Sequence, residues 1–324
     1  MLLVWWDYCL VGLVGADNDH KKESNLDYVI KNTSNENLSL KRFLLKHQIS
    51  QRTLSRIRRR EILLMMNGQL VDLKAKAVSN AEVKLIFPPE NNSKLVADFA
   101  PVEVLYEDSN WLIVNKPAGL ASVPGPTNQT TTLVNRIKGY MIKQNMIDRI
   151  PHIITRLDRF TSGLVLVAKH HLAQSMIETQ VEEHAMDKRY LAIVNGLVEP
   201  ISGLIDLPIK RVVGQPQRII AANGQSAQTE YWVRQANQAA SLVEAKLYTG
   251  RNHQIRLHFS ALGYPLLGDQ LYGGNTTLIT RQALHAWRLR FLDPFSKQQL
   301  EVTAPLPLDL QQLLSSLKLS FAQL

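Results

Sequence analysis

A chain of 324 residues, 45% hydrophobic and 20% charged, carries enough apolar material for a sizeable core and enough length for two domains. Its 37 Lys and Arg outnumber its 28 Asp and Glu by nine, a balance that suits a phosphate-rich partner. Cys9 is the single cysteine, which excludes an intramolecular disulfide framework and a cysteine-ligated metal site and makes a reducing cytoplasm the expected compartment.

The chain opens on an apolar stretch, residues 1–16, that includes Trp5, Trp6 and Tyr8. It lacks the Lys or Arg of a secretory n-region, and Asp7 interrupts it short of the roughly 20 apolar residues of a membrane span. Residues 1–24 stand as an unassigned extension, and no membrane partner is expected.

Residues 25–90 have a different character. Ser39 is placed to cap a helix whose apolar face is Leu40, Phe43, Leu44 and Leu45, and Ser50 to cap a second over 51–60. Between Ser39 and Arg60 lie eight bases, Lys41, Arg42, Lys46, Arg52, Arg56, Arg58, Arg59 and Arg60, and no Asp or Glu. A solvated helix face usually mixes signs to limit self-repulsion, so this one-sided run reads as a phosphate-contact surface. Asn67-Gly68 is a turn signal between two short strands within 63–71, and 83–87 reads as a third strand.

Residues 91–101, after Pro88-Pro89, have the composition of a linker. Strands are then expected over 102–106 and 111–115, joined at 107–110 and ending at Lys116-Pro117. Lys116 fits either an ordinary strand-ending turn or a direct contact with a polyanion. Further on come a buried strand over 163–169, a helix over 171–183 and a strand over 188–194 that places Tyr190, Ala192 and Val194 on one face and Leu191 and Ile193 on the other. Asn252 is a candidate N-cap for a helix ending at Gly263, with Ile255, Phe259 and Leu262 as its buried stripe and His253, Arg256 and Ser260 on a polar side. No carboxylate or thiol accompanies His253 or His258 at ligand spacing, so no metal is expected.

The densest chemistry lies in Thr155-Arg156-Leu157-Asp158-Arg159-Phe160-Thr161-Ser162-Gly163, which sets one carboxylate between two arginines. Neighbouring cations favour the ionised form, as a carboxylate working on a polyanion requires. Alone, the string also fits an exposed surface ion pair, which contributes about 0–1 kcal/mol.

Taken with Lys116-Pro117 before it and Gly250-Arg251-Asn252-His253-Gln254-Ile255-Arg256 after it, the run resembles the RluA-type pseudouridine synthase family, over about residues 102–307. The two basic helices and the small hairpin resemble the alpha-L RNA-binding module carried by many of these enzymes. The resemblance implies an α+β fold: a catalytic domain over 102–324 on a twisted mixed, largely antiparallel sheet with flanking helices and a central cleft, plus a small N-terminal α/β RNA-binding module over 25–90. Turn-linked strands and the lack of G-x-G-x-x-G and P-loop strings argue against a doubly wound nucleotide fold and a nucleotide cofactor.

The implied function is isomerisation of uridine to pseudouridine in structured RNA, ribosomal rather than transfer RNA, by a cytoplasmic monomer without metal or cofactor. By resemblance Asp158 is the nucleophile or base, Tyr190 packs on the target base and helps take the proton from its carbon 5, and Arg256 holds the carboxylate, a task that suits a guanidinium fork. The expected RNA contacts are Arg156, Arg159, Lys116, Arg251 and His253 near the acid, and Arg52, Arg56, Arg58, Arg59 and Arg60 in the N-terminal module. Arg156 is the candidate to fill the stack behind a flipped nucleotide. Where the family usually has a histidine this chain has Thr155, Phe160 replaces a polar or acidic residue, and Asn252 a Thr or Ser. Two other readings are a non-catalytic RNA-binding or ribosome-assembly protein and a glycoside hydrolase; the latter calls for a second acid that the run lacks.

Overall fold

A computed structural model describes residues 25–33, 38–90 and 94–321. The apolar extension over 1–24, Cys9 included, and residues 91–93 of the expected linker lie outside the described residues.

The N-terminal part runs β1 (Leu26–Lys31), α1 (Leu40–Lys46), α2 (Gln51–Arg58), β2 (Leu63–Met66), β3 (Gln69–Leu70) and β4 (Glu82–Phe87). Ser39 and Ser50 cap the two helices as expected, accepting from the backbone N–H of Arg42 and Thr53. Asn67 and Gly68 turn the β2–β3 hairpin with φ of 49° and 80°, the paired positive angles of a tight hairpin turn. The sheet order is β1-β4-β2-β3. Strand β1, which the sequence reading passed over, fills one edge by pairing antiparallel along β4. Leu40, Leu44, Leu54, Ile57, Leu64, Val83 and Leu85 form the core, and that core continues into Leu172 and Met176 of the larger part.

The larger part contains β5 (Glu103–Glu107), β6 (Trp111–Lys116), α3 (Leu133–Lys143), β7 (His152–Ile153), β8 (Ser162–Ala168), α4 (His171–Glu182), β9 (Asp187–Asn195), β10 (Ser202–Asp206), β11 (Ile209–Arg211) and β12 (Arg218–Ile220). It continues through β13 (Gln228–Ala236), β14 (Ala240–Leu247), α5 (Gln254–Ala261), β15 (Leu284–Leu292), β16 (Gln299–Thr303) and α6 (Leu308–Ser316). Its main sheet has the order β10-β13-β14-β9-β15-β8-β6-β5, with β16 on β15 and β7 on β8. Neighbours run antiparallel except β15 and β8, which are parallel, so the sheet is mixed and largely antiparallel.

Helices cover both faces. Val165, Val167, Tyr190, Ala192 and Val194 pack with α3 and α5 through Ile137, Met141, Ile255 and Phe259. Leu191 and Ile193 point the other way, to Leu310, Leu313 and Leu314 of α6. The alternation expected for the Tyr190 strand is therefore present. With both faces covered, β8 is buried along its whole length, which is why it reads as an unbroken apolar run.

The segment expected to be a linker is fastened. Glu90 pairs with His152 at 2.6 Å, and its N–H donates to Asp148. Residues 95–99 lie along α3, with Asn135 Nδ2 donating to Val96 O, Lys138 Nζ to Leu95 O and Lys143 Nζ to Phe99 O. Gly139 lets this strap approach, because a Cβ there would run into Asp98 O. No described helix is long and apolar enough to cross a membrane.

Candidate active site

Residues 155–161 form the loop that feeds β8, and its backbone is held residue by residue. Thr155 Oγ1 accepts from Leu166 N at 2.9 Å, so the hydroxyl standing where a histidine is usual closes the loop's entry. Ser122 Oγ accepts from Leu157 N and donates to Leu157 O, and Thr161 N donates to Asp158 O to close a turn. Lys116 Nζ donates to Arg159 O at 3.1 Å and Arg281 Nη1 to Phe160 O at 3.3 Å. At the exit, Gly163 has φ of +112°, and a Cβ there would enter the backbone of Ala286 on the parallel strand β15. Glycine alone allows the loop to become a central strand at this point.

Asp158 emerges from this loop with 22% of its side chain exposed. Arg256 Nη1 on α5 donates to its Oδ2 at 3.2 Å, and His253 Nε2 lies 4.0 Å from the same oxygen. The opposite edge of the guanidinium is taken by Asp269, which accepts from Nε at 2.6 Å and from Nη2 at 2.8 Å while its own side chain is 1% exposed. The ring of Tyr272 lies 5.1 Å from the same guanidinium carbon. Arg256 is thus clamped by a buried carboxylate and presents one remaining N–H to Asp158. The sequence reading placed Gly268-Asp269 near the cleft but gave the acid no role. The available signal was geometric, since a buried guanidinium fork facing one acid leaves its other edge to be matched.

Helix α5 differs from expectation in two ways. Asn252 is not its N-cap: His253 holds that position in left-handed conformation, φ 58°, and makes no side-chain cap. The preceding turn is closed by Gln254 Oε1, which accepts from Arg251 N and from Thr249 Oγ1. Leu262 is 39% exposed rather than part of the stripe, whereas Gln254 through Phe259 are all buried because the polar side packs against Asp269 and Tyr272. The hydroxyl of Tyr272 lies 3.0 Å from His253 Nδ1 and fixes the ring. Burial pushes the His253 imidazole below its ordinary range, with Asp158 pulling the other way, so the ring is neutral at pH 7.

Tyr190 comes from β9, opposite Ala245 on β14 and Ala286 on β15, two small neighbours that leave room for the ring. Burial first, and the charge of Asp158 second, push its phenol up, so it stays a neutral hydroxyl. Asp158, Tyr190, His253, Arg256 and Asp269 line one cleft of about 1000 Å³. Three residues from distant parts of the sequence, Asp158, Tyr190 and Arg256, are brought together as expected.

The expected RNA contacts divide. Arg156 and Arg159 are exposed on the cleft wall, Arg159 Nε donating to Gly119 O, and Arg251 is half-buried with Nε on Ser226 O. In the N-terminal part Arg52, Arg58, Arg59 and Arg60 are exposed, Arg59 pairing with Glu61 at 2.6 Å. Arg56 also turns to Glu61, with 18% of its side chain exposed, which makes it a structural cation.

Lys116 is a correction. It is fully buried, and its ammonium donates to the carbonyls of Pro117, Leu120 and Arg159 at 2.8–3.1 Å, so it braces the loop from behind and reaches no RNA. Burial lowers its pKa to about 7. From about pH 7 up to the ordinary lysine range the unfolded chain therefore binds more protons than the folded one, and stability rises with pH across that window. Thermal unfolding of the wild type and of Lys116→Met between pH 7 and 9 tests this, the rise being smaller in the variant. Equal slopes in the two proteins would refute the assignment.

Comparison with known proteins places this cleft. Residues 110–261 match the sequence profile of the RNA pseudouridylate synthase family. Relatives include YjbO of Bacillus subtilis, called an uncharacterized RNA pseudouridine synthase, 36% identical over 86% of this chain and 98% of its own. The ribosomal large subunit pseudouridine synthase D of Neisseria meningitidis is 35% identical over 79% of this chain and 72% of its own. The chain belongs to the RluA-type RNA pseudouridine synthase family. The fold of this synthase agrees: human RNA pseudouridylate synthase domain containing 4 superposes with a TM-score of 0.57 at 23% identity, covering 68% of this chain and 95% of that one. Like its family, the synthase is an isomerase acting on RNA.

Proposed function

We propose that this synthase isomerises specific uridines of structured ribosomal RNA in the cytoplasm, with Asp158 as the acting carboxylate. The observation that carries the reading is the position of Asp158 in the cleft, 3.2 Å from an arginine that Asp269 locks in place and beside a neutral tyrosine. The printed names of relatives as large-subunit ribosomal enzymes support ribosomal over transfer RNA.

In the reaction the N1–C1′ bond of uridine breaks, the uracil turns in place, C5 bonds to C1′, and the proton released from C5 is balanced by one gained at N1. The change is redox-neutral, and a carboxylate performs it by adding to the sugar or the base or by taking a ribose proton. Arg256 keeps Asp158 oriented and anionic. Tyr190, held as the neutral phenol, packs against the uracil and is a poor acceptor for the C5 proton. Arg156, Arg159 and Arg251 are placed to hold phosphates while the nucleotide is flipped, at a cost of a few kcal/mol that backbone contacts offset. The exposed arginines of α2 and the turn after it extend the same role to flanking RNA.

Sequencing of pseudouridine in total RNA from cells with and without the gene tests the proposal. One or more ribosomal sites disappear without it and return with the wild-type gene. Identical maps from the two strains would refute it.

A further inference from the structure

The mechanism leaves unused an exposed aromatic side chain two residues from the acid. Phe160 is 45% exposed, lines the same cleft as Asp158, and stands where the family usually has a polar or acidic residue. Single exposed apolar residues are common and need no explanation. This one differs in being held. The Phe160 carbonyl accepts from Arg281, the Arg159 carbonyl accepts from Lys116, and Arg159 Nε is tied to Gly119 O. The guanidinium carbon of Arg159 lies 5.1 Å from the centre of the Phe160 ring, backing it with a cation.

We propose that Phe160, backed by Arg159, is a stacking platform for the nucleobase next to the target uridine. The inference rests on the pseudouridine reading and adds a contact to it. The Cα atoms of Asp158 and Phe160 are at most about 7 Å apart, so a base adjoining the nucleotide at Asp158 reaches the ring. Aromatic rings hold unstacked bases because every base has a π-face, and a cation behind the ring strengthens its hold. The platform therefore recognises an unpaired neighbour of any sequence. A carboxylate at the same position would instead repel the RNA backbone.

The test uses the full-length protein and a large-subunit ribosomal RNA hairpin bearing the modified uridine, with 2-aminopurine placed in turn 5′ and 3′ of it. Binding quenches the fluorophore at one of the two positions for the wild type and for Phe160→Trp, and leaves it bright for Phe160→Ala. Phe160→Ala raises KM at least about fivefold with kcat within about twofold, as expected for loss of one base stack. An abasic nucleotide at the quenched position raises the wild-type KM by a similar factor and adds nothing in Phe160→Ala. Equal quenching by Phe160→Ala, or fully additive penalties, would overturn the platform. A wild type that binds the hairpins but forms no pseudouridine refutes the functional reading instead, and the quenching comparison still decides the role of the ring.

Discussion

Asp158→Asn is expected to end pseudouridine formation, lowering the single-turnover rate by at least about three orders of magnitude, roughly 4 kcal/mol of transition-state stabilisation. The amide keeps the size of the carboxylate and an oxygen for Arg256 to donate to, and Arg256 retains both bonds to Asp269. The fold and the affinity for RNA are therefore preserved while the anionic oxygen is lost. Melting temperature, binding to a ribosomal RNA fragment and tritium release from C5-labelled uridine separate these effects. A variant that folds, binds and still turns over at a tenth of the wild-type rate would remove Asp158 from the chemistry.

The second large effect is expected at Asp269, which touches no substrate in this reading. Its carboxylate and the Arg256 guanidinium are both almost fully buried, with 1% and 8% of their side chains exposed. Removing one partner of such a pair leaves a buried charge uncompensated, at a cost of about 3–5 kcal/mol. Asp269→Ala should lower the melting temperature markedly. At a temperature where it remains folded, kcat should fall about tenfold or more with KM little changed, because Arg256 no longer presents Nη1 to Asp158 at a fixed angle. Asp269→Glu, which restores the charge, should recover part of both losses. Loss of stability with wild-type kcat in the folded fraction would make Asp269 structural only.

Much of the site was legible because its chemistry is local. The string around Asp158, the strand phase that points Tyr190 away from Leu191, and the helix spacing of Arg256 each follow from neighbours along the chain. The capped helices α1 and α2 and the Asn67-Gly68 hairpin were readable for the same reason. What escaped depends on contacts between distant segments. Lysine is seldom fully buried, so nothing in Lys-Pro betrays that three backbone carbonyls enclose the Lys116 ammonium. Asp269 is identified only by the fork that faces it. Likewise β1 and the strands between residues 202 and 247 were passed over, and the strap along α3 reads as linker because its polar contacts come from side chains far along the sequence.

The bracing of residues 155–161 by Ser122, Lys116 and Arg281 bears on which partner does the moving. An acid already set in its working place spends nothing on rearrangement when the substrate arrives, so the conformational work of each turnover falls on the nucleic acid. Uridines in strained or open loops should then react ahead of those in continuous duplex, and the timing of modification would follow how far the ribosomal RNA has folded.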